Sequence, residues 1–83
     1  LSQNFPNPFN PSTTIGYGLP RGADVTLVIY NALGQEVAKL VDTHQESGYH
    51  EVRFDGTSVA SGVYFYRLRA GAFSQTKRLM LVR

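Results

Sequence analysis

Short runs of alternating apolar and polar residues recur about every ten positions, each closed by glycine, proline, asparagine or aspartate. A side-chain period of two belongs to strands with one buried face, and spacing this tight leaves no room for crossover helices. Helical periodicity is weak throughout. The pattern predicts an all-β, antiparallel β-sandwich of about six to seven strands. At 83 residues, a chain buries only a little over ~60% of its unfolded surface, enough for one core and not two.

The segments differ in what they can become. Residues 1–12 form a proline-rich lead-in, because Pro6, Pro8 and Pro11 lack an N–H and cannot enter a central ladder. The sandwich is assigned to residues 13–83. Along Thr13 to Leu19, bulky Ile15, Tyr17 and Leu19 alternate with Gly16 and Gly18, leaving one bare face that something can approach closely. Asp24 to Tyr30 reads as a central strand covered on both faces, with Val25, Leu27 and Ile29 on one and Thr26, Val28 and Tyr30 on the other.

Asn31-Ala32-Leu33-Gly34 is a turn, with Gly34 free to take positive φ. Glu36 to Val41 then reads as an edge strand, Asp42 to Gly48 as a polar loop, and Tyr49 to Phe54 as an alternating strand with Val52 and Phe54 inward. Thr57 to Gly62 is a small-residue connection. The final third is a hairpin with Gly71-Ala72 as a two-residue type II′ turn. Its register sets Ala70 opposite Phe73, Tyr66 opposite Lys77, Phe65 opposite Arg78 and Tyr64 opposite Leu79.

Composition limits the partners. A formal charge of +2, from 8 Lys and Arg against 6 Asp and Glu, does not make nucleic acid a default partner. With no cysteine there is neither a disulfide framework nor a thiolate metal site. The longest apolar runs, such as Leu79-Met80-Leu81-Val82, fall far short of the roughly 20 residues of a membrane-spanning helix. Leu1 opens the chain without a basic, apolar leader, which reads as a mature product or an excised piece with any export signal outside it.

Several blocks in order carry a resemblance over nearly the whole chain: Asn7-Pro8-Phe9-Asn10-Pro11-Ser12-Thr13-Thr14-Ile15, Leu19-Pro20, and Ile29-Tyr30-Asn31-Ala32-Leu33-Gly34-Gln35-Glu36-Val37-Ala38. They continue through Gly48-Tyr49-His50, Phe54-Asp55-Gly56, Ala60-Ser61-Gly62-Val63-Tyr64-Phe65-Tyr66-Arg67-Leu68 and Lys77-Arg78-Leu79-Met80-Leu81-Val82-Arg83. The chain resembles the C-terminal sorting domains of type IX secretion cargo in Bacteroidetes. It is similar, too, to the immunoglobulin-like domain of the flagellar hook-capping protein. The resemblance implies an immunoglobulin-like sandwich at the end of a secreted, extracellular or cell-surface protein, read by an outer-membrane translocon. It further implies cleavage as the passenger is joined to surface lipopolysaccharide in many members. In that family the terminal basic and apolar segment matters for recognition, and Lys77, Arg78, Leu79, Leu81 and Arg83 occupy it here. The partners it implies are the secretion machinery and outer-membrane surface polysaccharide.

Each candidate site has a plainer alternative. Arg67, Arg69 and Arg78 share one outer face and can hold phosphates or carboxylates of a surface polysaccharide through charge-assisted bonds. Equally, they can be a solvated edge that discourages sheet-to-sheet aggregation. Phe5 and Phe9, with Ile15, Tyr17 and Leu19 of the next strand, can clamp the domain's own edge or add to the edge of another copy of the chain.

Asp24, Asp42 and Asp55 are expected at strand ends or turns, where Asp bonds its own backbone, and no calcium-loop spacing occurs. His44 and His50 lack ligand spacing, and His50 shares the inward parity of Val52 and Phe54. Ser58, Ser61 and Ser74 have no nucleophile-elbow context. Of Tyr64, Phe65 and Tyr66, at least two belong in the core rather than on a stacking platform. Asn10-Pro11-Ser12 fails as a glycosylation acceptor because proline sits in the middle. No catalytic, cofactor or metal site is expected. The function expected is a non-catalytic sorting and surface-attachment module. The alternatives are a subunit of an extracellular filament built by strand donation and a glycan-binding accessory domain of a secreted enzyme.

Overall fold

Among the described residues there are six strands: β1 (Ser12–Leu19), β2 (Ala23–Asn31), β3 (Glu36–Gln45), β4 (Gly48–Asp55), β5 (Gly62–Ala70) and β6 (Phe73–Leu81). The structure, a computed structural model, describes residues 1–82. β1 and β4 form a two-stranded antiparallel sheet, and the order β3-β2-β5-β6 makes a four-stranded one. The described chain is thus an all-β sandwich.

Its core is the inward parity of each strand. Ile15, Tyr17, Leu19 and Phe54 from the smaller sheet meet Val25, Leu27, Ile29, Val41, Tyr64, Tyr66, Leu68, Leu79 and Leu81 from the larger. Interdigitation of two such faces is what makes a sandwich stable. The hairpin register is as expected, with Ala70 opposite Phe73, Tyr66 opposite Lys77 and Phe65 opposite Arg78. Gly71 has φ +59 and, among the described residues, none other than glycine has positive φ, so Ala72 stays negative and the turn fits type II′ rather than I′.

Two expectations are corrected. The segment Asp42 to Gly48 is not a loop throughout, because β3 continues to Gln45 and only Glu46 and Ser47 lie between the strands. Thr43, His44 and Gln45 pair with Val25, Asp24 and Ala23. An edge strand at a sheet corner has little to bury, so its side chains are polar and the period-two signal fades. Asp42, for the same reason, is a strand residue, 3.7 Å from Lys39, and not a turn former. Secondly, the outer face of β2 is covered only in part. Val28 is buried while Thr26 and Tyr30 remain half-buried, and the cover includes the Arg67 guanidinium 5.3 Å above the Tyr30 ring.

The lead-in packs against the chain's own two edges. Ser2 donates to the Gly16 carbonyl, and Phe5 and Thr14 exchange backbone bonds, all along the free edge of β1. Further on, Phe9 donates to the Met80 carbonyl and accepts from the Val82 N–H along the edge of β6. Phe9 itself is 2% exposed and meets Phe54 edge to face, with ring centroids 6.0 Å apart. One short segment therefore fastens the small sheet to the large one.

Candidate functional site

The terminal strand is the place to look, because the lead-in and β5 hold it from both sides. Gln3 donates through Nε2 to the Arg78 carbonyl at 2.7 Å, and the Asn7 side chain accepts from the Met80 N–H at 3.0 Å. Within β6 the alternation of a strand then sorts the side chains. Leu79 and Leu81 point inward and are buried, at 0% and 1% exposure. Arg78 points outward beside Phe65, and Lys77 sits half-buried opposite Tyr66. Arg83, the remaining expected recognition residue, lies outside the described residues.

The outer face of the large sheet does collect the three arginines. Arg67 and Arg69 follow one another on β5, and Arg78 on β6 is the diagonal neighbour of Arg67. None of the ion pairs among the described residues uses an arginine. Arg69, however, lines the same hollow as Asp24, Asp42 and His44. The uncompensated positive charge of this face thus lies toward Arg67 and Arg78. Met80, 36% exposed, and Val82, 47% exposed, extend this end of the sheet with apolar surface.

The segment raised for strand donation is distributed otherwise in this chain. Phe9, Ile15, Tyr17 and Leu19 all belong to its own buried cluster, while Phe5 stands 78% exposed.

Sequence reasoning missed the polar pin beneath the lead-in. Asn4 and Thr13 are each 2% exposed. Asn4 donates through Nδ2 to Thr13 Oγ1 at 3.0 Å, and Thr13 donates to the Pro6 carbonyl at 2.8 Å. The Tyr66 hydroxyl accepts from the Asn4 N–H at 2.9 Å and donates to the Ser2 carbonyl at 2.8 Å. No buried side-chain nitrogen or oxygen among the described residues lacks a partner. The one available signal was three asparagines set among prolines in a segment that also carries a phenylalanine to bury.

Tyr17, Tyr66, His50 and Asp55 have structural partners. Burial pushes the Tyr17 and Tyr66 phenols above their ordinary value, while a bond to Gln45 and one from Asn4, respectively, pull partly the other way. The His50 ring stacks on Tyr17 with centroids 5.5 Å apart and bonds the Glu46 carbonyl, as a packed histidine would. Asp55 accepts from the Thr57 N–H at 2.9 Å, the expected turn chemistry. Tyr64 and Tyr66 are core residues. Among the described residues, no three His, Cys, Asp or Glu converge in a way that could hold a metal ion. Among the described residues, no helix is long and apolar enough to cross a membrane.

Comparison with known proteins adds one finding of weight. The family model for the secretion system C-terminal sorting domain matches residues 3–82. No curated protein and no solved structure matches the chain.

Proposed function

Because the chain belongs to the secretion system C-terminal sorting domain family, we propose that it delivers its protein through a folded surface formed by the outward half of the terminal strand. The family marks proteins for type IX export, to the cell surface or the medium. The observation that supports the surface reading is the parity of β6, which puts Leu79 and Leu81 in the core and Arg78 and Met80 outside. On this reading the two leucines act by holding the strand in place. Arg78 and Met80 make the contact with the secretion machinery, and Lys77, half-buried on the inward parity opposite Tyr66, borders it.

The proposal assigns attachment to the same face. On this reading Arg67 and Arg78 take phosphate or carboxylate groups of an outer-membrane surface polysaccharide, and what supports it is that they are diagonal neighbours outside the ion pairs of the described residues. The passenger is fused ahead of the domain, and no chemistry is asked of the domain itself. The test is a reporter protein with residues 1–83 fused behind it, expressed in a host with the type IX system. Reporter outside the cell, and absent there without the fusion or in a host lacking the translocon, is the expected result. Reporter retained in the periplasm would count against the proposal.

A further inference from the structure

Two aromatic rings stand in water on the outer side of the small sheet: Phe5, 78% exposed, and Tyr49, 64% exposed. They are far apart in sequence, and the lead-in brings them together. Phe5 is fixed to β1 by reciprocal 2.9 Å backbone bonds with Thr14. Tyr49 reaches from β4 across the bare face of β1. A Cβ placed on Gly16 would lie 2.8 Å from the Tyr49 Cζ, so only glycine leaves room for the ring there.

The two rings border an open hollow of ≈ 300 Å³, whose remaining walls include Ser2, Gln3, Thr14 and Glu51. The walls supply two hydroxyls and a carboxylate, and no lysine or arginine, the Gln3 amide N–H groups being bonded to Asn4 and the Arg78 carbonyl. Glu51 enters none of the ion pairs among the described residues. Exposed aromatic pairs around a few convergent polar groups are what a ligand site looks like, and rings held in water have apolar faces left to cover.

We infer that this hollow is a subsite for a neutral hexopyranose chain. The aliphatic C–H face of a pyranose stacks on Phe5 and Tyr49. Its hydroxyls donate to the Glu51 carboxylate and exchange bonds with Ser2 and Thr14. With Glu51 as the charged group of its lining and no lysine or arginine there, this subsite does not recruit phosphate or carboxylate groups as the arginine face on the other sheet would. The assignment does not depend on the sorting reading and survives if export fails.

The test is an NMR titration of the 83-residue domain with cellohexaose, mannohexaose and a dextran oligomer in turn. At least one should give saturating shifts at the Phe5 and Tyr49 ring resonances, with a Kd of about 1 mM. Phe5→Ala and Tyr49→Ala, both at exposed side chains, should each weaken binding by about tenfold or more, and Arg67→Ala should leave it unchanged. No saturable shift from any of the three up to about 10 mM would overturn the inference. So would binding that survives both aromatic variants. Ring shifts that follow protein concentration without sugar would mean that the pair is covered by a second copy, and would overturn it as well.

Discussion

Asn4, Thr13 and Tyr66 decide whether the first ten residues belong to the fold. A buried amide or hydroxyl with its partner removed costs about 1–3 kcal/mol, so a fully bonded trio beneath the lead-in holds it where backbone bridges alone would fray. Tyr66 also makes the domain sensitive to alkali. Burial raises its pKa above the value in the unfolded chain, near 10. Above that pH the unfolded chain has released a proton that the folded chain still holds. Stability should therefore be level below about pH 10 and fall as pH rises further, with Tyr17 adding to the slope. Tyr66→Phe, followed by urea unfolding across the alkaline range, should show a shallower fall, together with a loss of about 1–3 kcal/mol at neutral pH from the unpartnered Asn4 N–H and Ser2 carbonyl. An unchanged slope would mean that Tyr66 ionises alike in both states.

Among the elements, the β5–β6 hairpin was fully legible in the sequence, because a two-residue turn fixes register and register fixes every facing pair. The parity that unites Arg67, Arg69 and Arg78 was legible for the same reason. β3 was legible only as far as Val41, since its last residues sit at an exposed corner where polar side chains erase the alternation. The lead-in was legible as something other than a strand, but its anchors were not. They depend on which distant edges it reaches, and nothing within the first eleven residues encodes that β6 lies beside Phe9 or that Tyr49 lies near Phe5. Phe9 is the lead-in's buried apolar anchor. Phe9→Ala should lower unfolding free energy by about 3–5 kcal/mol, a large part of the ~5–15 kcal/mol typical of a domain. Hydrogen exchange should speed up at the Phe9 and Val82 amides at the same time. A loss below about 1 kcal/mol would show that the segment rests on the sheets without supporting them.

At the scale of the molecule, the chain's beginning and end are locked together. The lead-in bonds β6 at the Arg78 carbonyl, at both backbone groups of Met80 and at the Val82 N–H. The outward face of the terminal strand is thereby held rigid, and a partner that docks there has little ordering cost to offset. Such a face is recognised only while the sandwich is intact. Inward and outward substitutions on β6 must then fail for different reasons: Leu79→Ala by loosening the core, and charge reversal outside by removing the contact. The direct measurement is export of a reporter fused to the domain carrying Arg78→Glu, a reversal at the exposed contact residue, alongside the thermal midpoint of that variant. The midpoint should stay within a few degrees of the unaltered domain while extracellular reporter falls by about tenfold, the effect of losing about 1.4 kcal/mol of binding. Undiminished reporter outside the cell, with the same midpoint, would contradict delivery through this surface.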